Sequence, residues 1–471
     1  MIFASFEFLF LFLPVFFAAY FLTPLAWRNW PILILSWAFY AWWRVDFLAL
    51  LGGVTLFTFF VALKLAAAGE AARPRWLALG LIGNLGVLGC FKYANFGVAS
   101  LNAAMAGLGF ATLPWTEIIL PIGLSFYVLQ SVSYLIDLYR RDVPVATNFV
   151  NYAAYKAIFS QLIAGPIVRY AEIELELKRR EHSLQMFGAG ARRFMTGFAM
   201  KVVIADTLAP LVDAAYALPA PSAADAWIAA LAYTFQLFFD FAGYSAMAIG
   251  LALMIGFHFP ENFSAPYLAG SIQEFWQRWH MTLSRFLRDY LYISLGGNRH
   301  GAFRTYLNLL ATMVIGGFWH GANWTFIAWG FWHGGLLALH RLWRASGGGP
   351  LPYALGLPLT FLCVVLGWVV FRAHDVGEAW RIYTAMAGRH GWGLSDGLAW
   401  QILPEQWWVI GLAALLCALP ALGSWLPWQR DPQAIRGVWR LGWQAGPSLA
   451  FLLAVVLLYS RAAVPFLYFQ F

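Results

Sequence analysis

Apolar runs of about 20 residues, the length that crosses a bilayer's hydrocarbon, follow one another along nearly the whole of this 471-residue chain. They lie near 5–23, 30–48, 50–68, 76–94, 117–138, 150–167, 194–215, 226–240, 242–257, 305–322, 324–342, 354–371, 405–424 and 446–468. Hydrocarbon offers no water to backbone N–H and C=O groups, so such runs fold as helices. Irregular backbone at that depth needs protein or a cavity to cover it, and some of the runs are expected to be half-spans. Composition agrees: 61% of residues are hydrophobic and 11% charged, against about 25% charged in a soluble domain. The expectation is an all-α polytopic membrane protein, one membrane-embedded domain over residues 1–471 without a soluble appendage. Met1 to Pro24 lacks a basic n-region and a small-residue cleavage site, and reads as a retained first span.

The formal net charge is +8. Positive-inside bias of cytoplasmic loops explains most of it, and a phosphate-rich ligand is compatible with it. The basic residues adjoin spans and form no separate basic module, which argues against nucleic acid. Cys90, Cys363 and Cys417 sit far apart in apolar sequence, suggesting neither a disulfide framework nor a thiolate metal site. Glu172 to Arg193 mixes both signs and reads as a solvated surface segment. Trp425 to Gln444, with Trp425, Trp428, Trp439 and Trp443, fits an aromatic belt at headgroup level. Ser346-Gly347-Gly348-Gly349-Pro350 is a connector.

Against this oily background Ser271 to Asn323 stands out. From Arg278 to Arg304 there are five arginines and one acid, Asp289. Ionisable groups at membrane depth are expensive and default to a functional reading. If 275–291 is one helix, His280, Ser284, Leu287 and Leu291 share a face, with Arg278 and Arg285 on another and Arg285 in reach of Asp289. An Arg-rimmed interfacial helix would show the same spacing. Gly296-Gly297-Asn298-Arg299 reads as a sharp turn that could present N–H groups to phosphate.

His320 ends the apolar run Leu309 to Trp319 between Gly317, Gly321 and Asn323. Small neighbours let a backbone or a ligand approach, and a neutral imidazole in a dry site can act as a general base. A core histidine bonded to a carbonyl is the competing reading. Asn323, taken as one helical turn on, is a candidate oxyanion donor. His333, in a similar Phe-Trp-His-Gly-Gly setting, would fall on the far side of a continuous helix. Asp240, in an aromatic run, is a candidate to orient a core arginine or histidine. His280 and His320 have no clustered carboxylate or HExxH, so no metal is expected. Serine catalysis, a P-loop and a dinucleotide fold lack their motifs.

Taken in order, several motifs resemble the membrane-bound O-acyltransferase family. They are Leu120-Pro121-Ile122-Gly123-Leu124-Ser125-Phe126-Tyr127, Gln161-Leu162-Ile163-Ala164-Gly165-Pro166-Ile167, Asp240-Phe241-Ala242-Gly243-Tyr244-Ser245, Phe275 to Tyr292, Ser294 to Arg299, Gly317-Phe318-Trp319-His320-Gly321 and Val370-Phe371-Arg372-Ala373. The likeness is to the bacterial branch typified by the membrane subunit of alginate O-acetyltransferase systems. The D-alanyl transferase of teichoic acid modification is a sister branch sharing the Arg-Trp-His-Met and Trp-His-Gly elements. The region beyond Arg389 is the least recognisable.

The resemblance implies a ring of tilted transmembrane and re-entrant helices, about 11–14 by hydropathy, around a central tunnel, with core motifs at 118–342. It implies His320 as the catalytic histidine and His280 as the second, lining the same tunnel. Trp276, Arg278, Ser284, Arg285, Asn298, Arg299, Trp319 and Asn323 would bind substrate, with Asp240 in support. It implies no bound cofactor, acetyl-CoA as co-substrate and a bacterial inner-membrane location among lipids. Acetyl would pass to a periplasmic SGNH-type partner and then to a polysaccharide acceptor such as alginate. D-Alanyl transfer and a non-catalytic acyl or glycan carrier are the rival expectations.

Overall fold

The structure, a computed structural model, describes residues 1–422, 438–461 and 464–467, without the side chains of 422 and 438–444. The expected belt tryptophans Trp425 and Trp428 lie outside the described residues, as do the side chains of Trp439 and Trp443. All regular elements among the described residues are helical. Among the described residues five helices are long and apolar enough to cross a membrane: Val45–Ala67, Arg73–Gly107, Leu184–Ala217, Ala223–Met254 and Tyr353–Arg372. The chain is an all-α, multi-pass membrane protein.

It divides into two compact units, residues 1–190 with 248–260, and residues 191–247 with 261–471. In the first unit, Phe3, Phe8, Phe12, Phe16 and Phe39 all pack on Phe159. The expected span 150–167 is broken there. Phe149–Ala157 stops at Ile158, a four-residue turn Phe159–Leu162 follows, and the chain then runs irregularly to Arg169. Ser36 Oγ accepts the Phe159 N–H freed at the break, at 3.0 Å. The stretch is buried throughout, which is the condition under which irregular backbone survives at depth.

Two further sequence expectations are corrected. Runs 226–240 and 242–257 are not two spans but one 32-residue helix, Ala223–Met254. Nothing in Phe241-Ala242-Gly243 breaks it. Gly243 is instead a packing site: a Cβ on Gly197, from the Leu184–Ala217 helix, would lie 2.4 Å from the Gly243 oxygen. At about 1.5 Å per residue the helix measures about 48 Å, more than the bilayer core needs.

The second correction concerns 275–291. Ile272–Arg278 is a separate short helix, Trp279 is extended, and His280 has φ +42° and ψ +54°. The chain then restarts as Met281–Phe286 and Leu287–Tyr292. The Gly-Gly turn forms as expected, with Gly296 and Gly297 at φ +102° and +57°. It leads into Gly301–His320, which folds back through residues 321–323 onto Trp324–Ala345. The two run antiparallel and close. A Cβ on Gly317 would meet the Phe326 oxygen at 2.2 Å, and one on Gly330 the Met313 oxygen at 2.6 Å.

Candidate active site

The break at His280 is built from local hydrogen bonding. Ser271 Oγ accepts the Glu274 N–H and caps Ile272–Arg278. Glu274 then accepts from Gly270 N and from Arg278 Nη2, at 2.7 and 2.5 Å. Arg278 also donates to the Ala265 carbonyl, so this arginine is tied to its own helix and the loop before it. A non-glycine residue at positive φ costs energy and persists only where its surroundings hold it.

Asn262 does the holding. Its carbonyl accepts the Met281 N–H at 2.9 Å. Its side-chain Oδ1 meets His280 Nδ1 at 3.0 Å, Thr282 Oγ1 at 3.0 Å and Thr282 N at 3.3 Å. Oδ1 can only accept, so His280 Nδ1 is the protonated nitrogen and Nε2 carries the lone pair. His280 is 1% exposed. Burial pushes its pKa down to about 3, and the ring is neutral at physiological pH.

His320 closes the other side. It is the last residue of its helix, and Gly321 is extended with φ −157°. Its ring lies edge-on to Trp329 and Phe371, at 5.2 and 5.4 Å between centroids, and to Trp319 at 5.1 Å. The centroids of His280 and His320 are 6.5 Å apart. Phe241 packs edge-on against His280 at 4.7 Å. Two buried imidazoles from distant parts of the sequence thus meet in an aromatic enclosure.

Trp319 belongs to this group, its ring 6.5 Å from His280. Trp276 stands one layer out, edge-on to Trp329 at 5.5 Å. Ser284 braces the break by donating to the Trp279 carbonyl at 3.3 Å. Asn298 and Arg299 lie on the exposed turn. Arg285 sits half-buried on the restarted helix, and Asp289 pairs with Arg288 at 2.6 Å.

Three expectations fail on geometry. Asn323 is not a helical turn beyond His320, because the helix ends there. It caps the next helix, Oδ1 accepting from Thr325 N and Nδ2 donating to the His374 carbonyl at 2.7 Å. Its Oδ1 is used in that cap and one Nδ2 hydrogen by the His374 carbonyl, so the placement one helical turn beyond His320 does not hold. Asp240 orients neither an arginine nor a histidine. It pairs with Lys201 at 2.8 Å and accepts the Leu467 N–H at 2.9 Å. His333 is not round the far side, since the reversal at 321–323 brings it within one indole of His320. Trp329 touches both rings, at 5.2 and 4.9 Å.

Asn262 is the residue that sequence reading misses. It lies in an irregular loop upstream of His280 and belongs to no motif. The available signal was the polar pair Glu261-Asn262 between Pro260 and Phe263.

Comparison with known proteins places these features in company. The family model described as MBOAT, membrane-bound O-acyltransferase family, matches residues 137–346 and so includes both histidines. The chain is 48% identical to a probable alginate O-acetylase of Azotobacter vinelandii over 100% of each chain. It is 52% identical to one of Pseudomonas aeruginosa over 84% of this chain and 76% of that one. It is 39% identical to a peptidoglycan O-acetyltransferase of Helicobacter pylori over 82% of this chain and 79% of that one.

Proposed function

The chain belongs to the membrane-bound O-acyltransferase family, and from that premise we propose that it moves acetyl groups from cytoplasmic acetyl-CoA across the inner membrane for O-acetylation of an exopolysaccharide such as alginate. That it is an acyltransferase of the membrane O-acetyltransferase kind follows from the relatives; donor, acceptor and route are the proposal. The observation that carries it is the pair of buried histidines 6.5 Å apart, one of them locked in a single tautomer by Asn262.

Acyl transfer to a hydroxyl needs a base at the hydroxyl and a polar contact for the developing oxyanion. His320 is assigned the base. It takes the hydroxyl proton as the new C–O bond forms, the C–S bond breaks, and the proton passes to the departing thiolate. His280, with its Nδ1–H engaged by Asn262 and a lone pair on Nε2, cannot donate to the oxyanion, and is assigned to accept a hydrogen bond on the acceptor side of the reaction. The aromatic walls exclude water, which would otherwise hydrolyse the thioester. Phosphates of the donor suit the arginines between Arg278 and Arg304, of which Arg299 and Arg304 are exposed on and beside the Gly-Gly turn. A periplasmic SGNH-type protein is the proposed next carrier of the acetyl group.

The test is CoA release from acetyl-CoA by the purified chain in nanodiscs, with and without the candidate partner. Partner-stimulated release in wild type, lost in His320→Ala while that variant remains folded and inserted, supports the proposal. Normal release in the variant removes His320 from the chemistry. Silence in wild type with donor binding confirmed points to another thioester, such as a D-alanyl carrier protein.

A further inference from the structure

The helices Ile272–Arg278, Trp324–Ala345 and Tyr353–Arg372 wall a cavity of ≈ 600 Å³ to which neither His280 nor His320 contributes. That volume is within the range of small-molecule sites, about 300–1,000 Å³. Its walls are mostly apolar, with Ile272, Leu336, Leu339 and Leu359 among them, and its basic groups are His340 and Arg344. These two stand one turn apart on the same helix face.

The basic end is built. Trp343 Nε1 donates to the Gly349 carbonyl at 2.9 Å and Arg344 Nη1 to the Gly348 carbonyl at 3.3 Å, folding the Gly-rich connector over the helix end. Glu274, the acid in the lining, is already engaged by Gly270 N and Arg278, so it does not neutralise Arg344. An amphiphile with an anionic head and an apolar tail complements such a site. A free anion would leave the apolar wall unused, and a neutral hydrocarbon would leave Arg344 unanswered.

The placement in the fold names the source. Because Gly301–His320 and Trp324–Ala345 are antiparallel, Arg341 and Arg344 lie at the same end of the hairpin as Arg299 and Arg304. Arginines gathered at one end mark it as cytoplasmic, and the cytoplasmic leaflet carries the anionic lipid surface. We propose that this cavity holds an anionic phospholipid of that leaflet, its phosphate on Arg344 and His340 and an acyl chain along Leu336, Leu339 and Leu359.

Ile272–Arg278 lines the cavity at one end and leads into Trp279 and His280 at the other. A bound lipid would fill the space between that helix and its two neighbours and stiffen the mount of His280. The proposal stands whether or not the acyl donor is acetyl-CoA.

The experiment is lipid retention by native mass spectrometry on the full-length chain, exchanged into nanodiscs of phosphatidylglycerol or phosphatidylcholine. Wild type, Arg344→Gln, Arg344→Gln/His340→Gln and Leu339→Trp are compared, with Arg75→Gln as a surface-charge control. Wild type and the control should retain one phosphatidylglycerol per chain in preference to phosphatidylcholine. The preference should fall about fivefold on loss of Arg344. Leu339→Trp keeps both basic groups but obstructs the tail, and should lower retention of both lipids. Should the double variant fail to fold, Leu339→Trp alone still decides. Equal retention of the two lipids by wild type, unchanged retention in Arg344→Gln, or displacement of the lipid by inorganic phosphate or by CoA would each overturn the assignment.

Discussion

Asn262 shares one side-chain oxygen among three donors, the Nδ1–H of His280 and both the N–H and hydroxyl of Thr282. Replacing it with Ala removes that acceptor from all three donors and loosens a backbone held at φ +42°. A buried donor left unmade costs about 1–3 kcal/mol. Asn262→Ala is therefore expected to lower unfolding stability by about that amount and to slow acyl transfer by about 10- to 100-fold. Thermal melting and single-turnover rates on the same preparation check both. His280 gives a second, signed expectation. Its folded pKa of about 3 lies below the unfolded value of about 6.5. Between those values the unfolded state binds a proton that the folded state does not, so the contribution is complete above pH 6.5 and declines as pH falls toward 3. Stability should fall by up to about 1.4 kcal/mol per pH unit in that window, and His280→Gln should flatten that part of the curve. An identical pH dependence in wild type and variant would show that the ring is not buried and neutral.

At the scale of elements, hydropathy made most helices legible and the motifs singled out the two histidines that the fold brings together. The reversals between helices were harder to read. Residues 275–291 carry helical periodicity with no Gly or Pro, so the break at Trp279–His280 had no local signal and depends on Asn262 from a separate loop. Asn323 was legible and was misread. An Asn before an apolar run is an N-cap signature, and it performs that role here. His333 was misplaced by the same assumption of one continuous helix. The hairpin that brings His320 to Trp329 rests on glycines at backbone crossings. A Cβ at Gly317 or Gly330 would strike a carbonyl oxygen at 2.2 or 2.6 Å, whereas one at Gly335 meets nothing within 4 Å. Gly317→Ala should cost about 1–3 kcal/mol by overpacking and depress activity by moving His320. Gly335→Ala, in the same hairpin, should be neutral or stabilise by up to about 1 kcal/mol through helix propensity. Melting curves of the two variants separate contact from propensity.

Across the whole molecule, the same oily sequence that made the membrane class plain concealed where its few charges are balanced. Asp240 was legible as an acid that needs a partner, but no spacing rule led to Lys201. The lysine is 3% exposed and lies between two carboxylates, Asp206 at 2.5 Å and Asp240 at 2.8 Å. Asp240 in turn accepts the N–H of Leu467, so one buried network joins the Leu184–Ala217 helix, the Ala223–Met254 helix and the segment 464–467. Phe466 stacks on Tyr244 at 4.6 Å and packs on Phe241, whose ring faces His280. The network therefore supports the floor under one histidine. Removing one member of a buried ionic network leaves uncompensated charge and costs about 3–5 kcal/mol, while replacing all members by neutral groups of similar volume is often tolerated. Lys201→Met alone should consequently abolish a monodisperse peak on size-exclusion chromatography. Lys201→Met/Asp206→Asn/Asp240→Asn should restore it. The triple variant should also regain acyl transfer, since an asparagine side chain in place of Asp240 can still accept from the Leu467 N–H and none of the three residues touches the reacting groups. A folded triple variant without activity would instead make the charges themselves part of the chemistry.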